Sequence, residues 1–341
     1  MSDKGALGGA TSDSASIEAH VAFRDFLGSN APVLSIAAFF ILVCVVFSAI
    51  TDSFLTQVNL LNLLRQSAPI LIVATAMTFV ITTGGIDLSV GSNLALVNAL
   101  AAITLAVGIP WPAAVLLMLF LGVAIGAVQG YFVAYEGIPA FIVTLAGLSA
   151  IRGLALLLTE GYSIPISGDS WFVQIGRGWF LGVPLPAIIA LVVAIVGYVV
   201  LTQTRYGRYV TGIGANVEAV RRAGVNVRRH ILSVYALTGI AAALAGIVIA
   251  ARLGSGSSNA GVGFELEVIA AVVLGGTNLF GGRGTIVGTA LGALTIAVIG
   301  NGLILAHISP FFTQIVTGLI ILLAIWLNTR LFDQASRLRR R

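Results

Sequence analysis

The sequence predicts an all-α integral membrane protein with about ten transmembrane helices. Of its 341 residues, 58% belong to the hydrophobic set and 40 are glycine, whereas only 9% are charged. An ordinary soluble domain has about 25% charged residues, and each spanning helix needs about 20 apolar residues. The composition therefore fits a chain that lies almost entirely in lipid and leaves little length for a soluble domain.

The apolar runs define ten candidate spans between two polar tails. Residues 1–32 are rich in Ser, Gly and Ala and lack an apolar run, which predicts a flexible cytoplasmic tail rather than a cleaved signal peptide. Residues 331–341 are rich in Arg and are predicted to form a basic cytoplasmic tail. The transmembrane domain, 33–330, contains the predicted spans 33–50, 67–83, 91–108, 113–135, 139–158, 184–202, 231–251, 264–280, 285–306 and 311–328.

The distribution of positive charge predicts the orientation. With ten spans both termini lie on one side, and 14 of the 18 Lys and Arg residues lie on that side as well. The remaining four are Arg65, Arg152, Arg177 and Arg252. Because cytoplasmic loops are enriched in Lys and Arg, both termini and the Arg-rich 203–230 loop are predicted to be cytoplasmic.

The longest external connection is 159–183. It mixes turn-forming residues with a predicted short amphipathic helix over 171–175. Two interpretations stay open, a surface loop in the headgroup region, where Trp is common, and a docking ledge for an external partner.

Composition excludes several functions. The single cysteine, Cys44, cannot form an internal disulfide or a cysteine-based metal site. The only lysine, Lys4, belongs to no P-loop motif, so the chain cannot be its own P-loop ATPase. The net charge of +5 reflects membrane topology and not nucleic-acid binding. No catalytic residue, metal site or cofactor is predicted.

Neutral polar side chains lie inside the predicted spans, whereas the acidic residues, including Asp87 and Glu265, lie at span edges. Ion-coupled carriers usually place ionisable groups within the membrane. Neutral groups can bind hydroxyls without the cost of burying a charge. The candidate substrate-pathway residues are therefore Asn93, Asn98 and Gln129, with hydrogen bonding between helices as the alternative role.

A glycine-rich turn, 84–91, separates the second and third spans. Glycine lets the backbone leave and re-enter a helix, and a carboxylate or hydroxyl can cap the next one. A side chain at Gly85 is expected to demand backbone angles that only glycine reaches cheaply. Segment 275–282 matches this turn at both leading glycines, the Asp/Asn position, a leucine and the final glycine, which indicates either two related halves or a chance resemblance. The candidate helix-break residues are Gly84, Gly85, Asp87, Ser89 and Gly91.

Several motifs resemble the ribose/xylose/arabinose-type permeases of bacterial ABC importers. The matching segments are 59–66 (NLLNLLRQ), 77–92 (MTFVITTGGIDLSVGS), 139–145 (PAFIVTL), 152–155 (RGLA) and the glycine-rich 275–288. The resemblance implies a multi-pass permease subunit of the bacterial inner membrane that translocates a neutral sugar or polyol, such as a pentose, hexose or sugar alcohol. It implies no covalent chemistry in this chain.

The 203–230 loop resembles the cytoplasmic coupling region of these permeases. The matching segments are 207–209, 214–216, 218–220 and 223–225, with Val220 in place of a family alanine. A short helix over about 216–223, ending at Gly224, is predicted. The alternative is a solvated loop that binds lipid headgroups. The candidate ATPase-coupling residues are Glu218, Ala219, Arg221, Arg222 and Gly224.

The resemblance also implies partners. These are ATP-binding cassette subunits, which hydrolyse ATP, a periplasmic substrate-binding protein, membrane lipid, and a second permease chain that is either another copy or a relative. A stand-alone ion-coupled carrier or facilitator for a small polar solute is the alternative function.

Overall fold

A computed structural model describes residues 33–309 together with 312, 315, 316, 318, 319, 322 and 326. The predicted tails, 1–32 and 331–341, and most of the predicted span 311–328 lie outside the described residues. Seven helices in the described part are long and apolar enough to cross a membrane. The prediction of an all-α membrane protein is confirmed, whereas the count of ten spans is not.

Residues 33–309 form twelve α-helices of very different length, with one short 3₁₀ turn, Trp171–Val173, before α6. In chain order the helices are α1 (Val33–Ile50), α2 (Gln57–Thr82), α3 (Val90–Ala106), α4 (Trp111–Ala134), α5 (Ala140–Thr159), α6 (Gln174–Arg177), α7 (Leu185–Gln203), α8 (Arg205–Ala215), α9 (Val217–Arg222), α10 (Val227–Leu253), α11 (Phe264–Leu274) and α12 (Ile286–Leu305). Four short strands accompany them: β1 (Ser163–Pro165), β2 (Trp179–Phe180), β3 (Val183–Pro184) and β4 (Ser255–Ser257).

Local sequence signals set several helix boundaries. Pro110, Pro139 and Pro184 immediately precede α4, α5 and α7, and the fixed φ of proline suits the start of a helix. α2 begins well before the predicted span at 67–83, because the side chain of Thr56 caps it by accepting a hydrogen bond from the Asn59 amide.

α3 and α10 form the centre of the bundle. In α3, 13 of 17 residues are buried, because α10, α4, α5 and β4 all pack around it. The Asn93 amide nitrogen reaches the Gly239 carbonyl at 3.4 Å, near the middle of the 27-residue α10. α3 therefore begins inside the bundle and not at its end.

Glycines bring α4 and α10 into close contact. Gly122, Gly126 and Gly130 recur every four residues and so share one face of α4. A Cβ at Gly122 would lie 2.5 Å from the Gly239 carbonyl oxygen, and one at Gly130 would lie 2.8 Å from that of Leu232. Helices in membranes commonly pack through such small residues.

Four helices present apolar surface outward. In their most apolar stretches, only 11% of the residues are buried in α1 and α5 and 22% in α4 and α7. Exposing so much apolar surface to water would be unfavourable. These helices are therefore expected to face lipid.

After α10 the chain turns back into the bundle. Gly254 adopts φ +70°, and the re-entrant segment, defined as residues 254–263, then runs along α3. There the Ser257 amide donates to Asn98 Oδ1 at 2.6 Å, and Gly261 approaches Leu94.

α11 follows the re-entrant segment and departs from the predicted span 264–280. It ends at Leu274, since Gly275 and Gly276 interrupt it and Gly276 adopts φ +88°. Its 11 residues extend only about 16 Å, too short for a hydrocarbon core of about 30 Å.

The 159–183 connection is folded onto the helices. β1 pairs antiparallel with β4 of the re-entrant segment. The short helix predicted over 171–175 is confirmed as the 3₁₀ turn followed by α6. Within the 3₁₀ turn, Phe172 and Val173 are buried against α10, while Trp171 is exposed.

Candidate functional site

α9 is an exposed helix held away from the bundle. Asn216 caps it by accepting a hydrogen bond from the Ala219 amide at 3.0 Å, and Gly224, with φ +80°, follows its end. The predicted helix over 216–223 is therefore confirmed. No residue of α9 is buried, so its side chains are available to a partner.

Glu218 pairs only within its own helix in the described part of the chain. Its carboxylate accepts from Arg221 Nη1 at 3.0 Å and from Arg222 Nε at 3.2 Å. All three side chains are largely exposed, and pairs of this kind contribute little to stability because water screens them. They instead fix the rotamers of the charged groups that α9 presents.

α8 anchors the exposed helix to the bundle. The Tyr206 hydroxyl lies 2.7 Å from Ser233 Oγ on α10, and its ring stacks on His230 with centroids 5.5 Å apart. Phe79 of α2 contacts the same ring with centroids 6.2 Å apart. Burial raises the pKa of the Tyr206 phenol, and its hydrogen bond to Ser233 partly offsets the rise. Only residue 216 lies between α8 and α9. A force on α9 is therefore transmitted through α8 to the contacts of Tyr206.

The end of α8 is wedged between the two glycine-rich turns. Gly214 lies against the Thr82 carbonyl and the Gly282 amide, and that amide donates to the same carbonyl at 2.9 Å. A Cβ at Gly281 would lie 2.9 Å from the Gly84 nitrogen and 3.0 Å from the Gly214 Cα. We call this contact of Thr82, Gly84, Gly214, Gly281 and Gly282 the glycine junction. It joins the end of α8 to the end of α2 and to the turn that follows α11.

The junction bears on the proposed related halves. Both turns lie together at one end of the bundle, as the predicted topology requires. In each, a glycine with positive φ follows the helix end, Gly84 (φ +84°) after α2 and Gly276 (φ +88°) after α11. The sequence match instead pairs Gly84 with Gly275, one position earlier. Duplication of two halves stays a prediction.

The backbone constraint in the first turn falls on Gly84 and not on Gly85, where it was expected. Gly84 has a positive φ of +84°, whereas the φ of Gly85 is not positive. Gly85 is constrained by packing, since a Cβ there would lie 2.5 Å from the Tyr235 hydroxyl oxygen and 3.3 Å from Val80 Cγ1. The prediction that Gly85 needs glycine-only angles is therefore wrong, although a side chain is excluded for a different reason.

Asp87 ties the turn to α10. Its Oδ1 accepts from the Ser89 amide at 2.9 Å and from Ser89 Oγ at 2.7 Å, and its Oδ2 accepts from Thr238 Oγ1 at 3.0 Å. Ser89 is the N-cap of α3 but makes no side-chain cap itself. Asp87 therefore caps α3 and also cross-links it to α10, more than the simple cap that the sequence predicts. Gly91, the last predicted turn residue, lies in the first turn of α3.

The three candidate pathway residues differ in their bonding. The Asn98 amide is used at both ends, with Nδ2 donating to the Gly246 carbonyl at 3.1 Å and Oδ1 accepting from Ser257. Asn93 Oδ1 and Gln129 Nε2 are buried without a hydrogen-bond partner among the described residues. Gln129 Oε1 lies 2.9 Å from Ser89 Oγ, the hydroxyl that also reaches Asp87, which places this residue beside the helix break. Asn98 thus serves helix packing in this structure, whereas Asn93 and Gln129 each retain an unused polar atom.

The structure places two charged residues within the bundle that the sequence analysis assigned to an external loop and to a span edge. Arg152 of α5 donates from Nη1 to the carbonyls of Ser258 at 2.6 Å and Ala260 at 2.8 Å, and so clamps the re-entrant segment. Glu265 Oε2 lies against Gly91 and is buried without a hydrogen-bond partner among the described residues. Hydropathy placed Glu265 at a span edge. Because α11 and α3 both begin inside the bundle, that edge is internal.

The described residues contain no group of three or more His, Cys, Asp or Glu side chains that could hold a metal ion.

Comparison with known proteins identifies relatives across most of the chain. Residues 59–325 match the family described as "Branched-chain amino acid transport system / permease component". The Ribose import permease protein RbsC of Bacillus subtilis (strain 168) is 44% identical over 292 residues, covering 85% of this chain and 90% of that protein. The protein of the same name from Escherichia coli (strain K12) is 42% identical over 303 residues, covering 87% and 93%.

A more distant relative extends the pattern. The Xylose transport system permease protein XylH of Escherichia coli (strain K12) is 34% identical over 369 residues, covering 90% of this chain and 94% of that protein. No solved structure matches the chain. These relatives confirm the resemblance that segments 59–66 and 77–92 carry.

Proposed function

The chain belongs to the branched-chain amino acid transport system permease component family, and we propose that it is the membrane-spanning subunit of an ATP-driven importer for a neutral sugar or polyol. The observation that carries this proposal is its identity of 42–44% with two ribose import permeases over nearly their whole length. The xylose permease supports the same class of substrate.

Energy enters, in this proposal, through α9. The chain has one lysine and no P-loop of its own, so ATP is hydrolysed by separate ATP-binding cassette subunits. α9 is exposed and ordered by its Asn216 cap. A short exposed helix with paired charges fits a groove on such a subunit, with Glu218, Ala219, Arg221 and Arg222 forming the contact and Gly224 ending it.

The glycine junction then passes movement from α9 to the membrane helices. Interfaces with two packed arrangements amplify small shifts because close-packed elements do not deform continuously. Gly214 touches backbone atoms of both turns, so α8 cannot move without displacing Thr82 or Gly282. Through Thr82 the displacement reaches α2, and through the turn that follows it reaches Asp87 and the start of α3.

Substrate passage depends on polar groups that lack hydrogen-bond partners within the bundle. Asn93 Oδ1 and Gln129 Nε2 carry unused hydrogen-bonding capacity beside α3. Groups of this kind can bind hydroxyls of a passing sugar and release them, since neutral hydrogen bonds are weak in net terms. Asn98 completes the proposed set of pathway residues, although its amide must first break its hydrogen bond to the Gly246 carbonyl.

The proposal includes the rest of the assembly. We infer ten spans in the bacterial inner membrane, with α3 and α11 as short helices inside the bundle and both termini cytoplasmic. A second permease chain, a periplasmic substrate-binding protein and membrane lipid complete the complex.

A substrate panel tests the function. Membrane vesicles containing the full complex are given neutral sugars, polyols, amino acids and organic anions, and the uptake of each is measured. We expect uptake of at least one sugar or polyol and none of the charged solutes. Efficient uptake of an amino acid or organic anion alone would contradict the substrate class but not the family.

A further inference from the structure

Three arginines meet at the end of the bundle opposite the glycine junction. Arg65 lies on α2, 17 residues and about 25 Å before Thr82. Arg177 ends α6, and its Nε donates to the Arg252 carbonyl in the last turn of α10 at 2.9 Å. Trp179, two residues after Arg177, lies against the Arg65 guanidinium and so brings Arg65 to the same place.

The cluster lacks a counter-charge within the described part of the chain. The two ion pairs found there both belong to Glu218 on α9. Arg65 Nε and Arg252 Nη1 are shielded from solvent and have no hydrogen-bond acceptor among the described residues. Grouping positive charges without an anion is costly, and buried unpaired N–H groups add to that cost. The arrangement is therefore complete only when an acceptor with negative charge joins it.

The surroundings of the cluster identify the acceptor. The Arg65 guanidinium carbon lies 4.7 Å from the centroid of the Trp179 ring, which holds one face of the guanidinium and leaves its edge free to donate. Trp179 and Phe180 are 53% and 60% exposed, and Leu64 beside Arg65 is exposed as well. Exposed Trp beside cationic side chains at a helix end is typical of the level of lipid headgroups.

We propose that Arg65, Arg177 and Arg252 form a binding site for the phosphate group of a membrane lipid. The Arg edges donate charge-assisted hydrogen bonds to the phosphate oxygens, while the acyl chains lie along Leu64 and Phe180. Arg177, the most exposed of the three, closes the site over the headgroup. The bound lipid ties α2, α6 and α10 together at the end of the bundle away from α9.

Lipid titration tests the proposal with phosphatidylglycerol as the probe. The full-length chain is purified in detergent, stripped of lipid, and titrated with phosphatidylglycerol or with diacylglycerol of the same acyl chains, and bound lipid is counted by native mass spectrometry. Arg177→Gln should weaken phosphatidylglycerol binding about tenfold, as expected for the loss of one charge-assisted hydrogen bond. Arg229→Gln, which removes one exposed charge at the other end of the bundle, should bind as the parent does.

Arg252→Gln is a second variant, but its half-buried position risks misfolding, so the exposed Arg177 carries the test. Equal binding by the parent and Arg177→Gln would overturn the site. Full displacement of the lipid by millimolar inorganic phosphate would identify a free-anion site and overturn the lipid assignment. If Arg177→Gln keeps the lipid but loses uptake that depends on a soluble substrate-binding protein, the cluster contacts that protein instead and the proposal is wrong.

Discussion

Replacing Gly214 by alanine places a methyl group where the glycine junction has no room. The added Cβ contacts the Thr82 carbonyl oxygen and the Gly282 nitrogen, and it lies 3.0 Å from the Thr82 carbonyl carbon. These are backbone atoms that cannot rotate away. Overpacking of this kind costs about 1–3 kcal/mol, and separating the Gly282–Thr82 hydrogen bond adds about 0.5–1.5 kcal/mol. The packed junction is therefore destabilised by about 1.5–4.5 kcal/mol, a factor of roughly 10 to 2,000 in its population.

The assay measures three quantities on the same membranes: the amount of inserted chain, the ATPase subunit that copurifies, and ATP-dependent sugar uptake. For Gly214→Ala we expect insertion and copurification close to the parent, since α9 is unchanged, with uptake reduced at least tenfold because α8 no longer seats against the two turns. Gly300→Ala on α12 is the matched control. Nothing lies within 4 Å of its added Cβ, and alanine favours a helix by up to about 1 kcal/mol over glycine. Parental uptake by Gly214→Ala would refute the role of the junction.

Three further predictions follow from the same region. Glu218→Arg should leave the amount of inserted chain unchanged, because α9 is exposed, while abolishing uptake and ATPase copurification; normal transport would refute the coupling role. Gly85→Ala should lower the unfolding temperature because its Cβ meets the Tyr235 hydroxyl, and adding Tyr235→Phe should restore part of the loss. If the double variant unfolds at the same temperature as Gly85→Ala, backbone angles and not packing constrain this position. Asp87→Ala should lower the free energy of unfolding by about 2–3 kcal/mol, since it leaves the buried Ser89 amide without its acceptor and removes the hydrogen bond from Thr238. A loss near the roughly 1 kcal/mol of an ordinary cap would mean that the hydrogen bond to Thr238 contributes nothing.

The sequence predicted those features that depend on local signals. α9 could be placed because Asn216 and Gly224 bracket it with standard capping chemistry, and neither signal needs tertiary information. The short helix after 170 was likewise visible as an apolar pattern between turn formers. Hydropathy located the long spans because burial in lipid and burial in protein both demand apolar residues.

Tertiary structure decided the features that the sequence left out. Hydropathy predicts one apolar span over 264–280, whereas the helix stops at Leu274 because Gly275 packs closely against α12 and Gly276 adopts a left-handed backbone. The edge position of Glu265 looked external for the same reason. A short-range sequence pattern cannot show that the re-entrant segment places Glu265 inside the bundle beside Gly91.

Glycine roles show the same limit. Gly84 and Gly85 are indistinguishable in sequence, yet one requires a left-handed backbone and the other requires space for Tyr235, 150 residues away. Only the packing of α10 against the turn separates the two. Gly214 carried a family resemblance, but its contact with both turns depends on how α2, α8 and α11 converge.

ATP dependence of uptake tests the central claim most directly. The chain is reconstituted in proteoliposomes with its ATP-binding cassette subunits and substrate-binding protein, and uptake of labelled ribose and related neutral sugars is followed with ATP, with a non-hydrolysable analogue, and with an imposed proton or sodium gradient. The account predicts sugar accumulation with ATP alone, lost with the analogue and in the Glu218→Arg variant. Accumulation driven by an ion gradient in the absence of the ATPase subunits would contradict it and identify a stand-alone carrier.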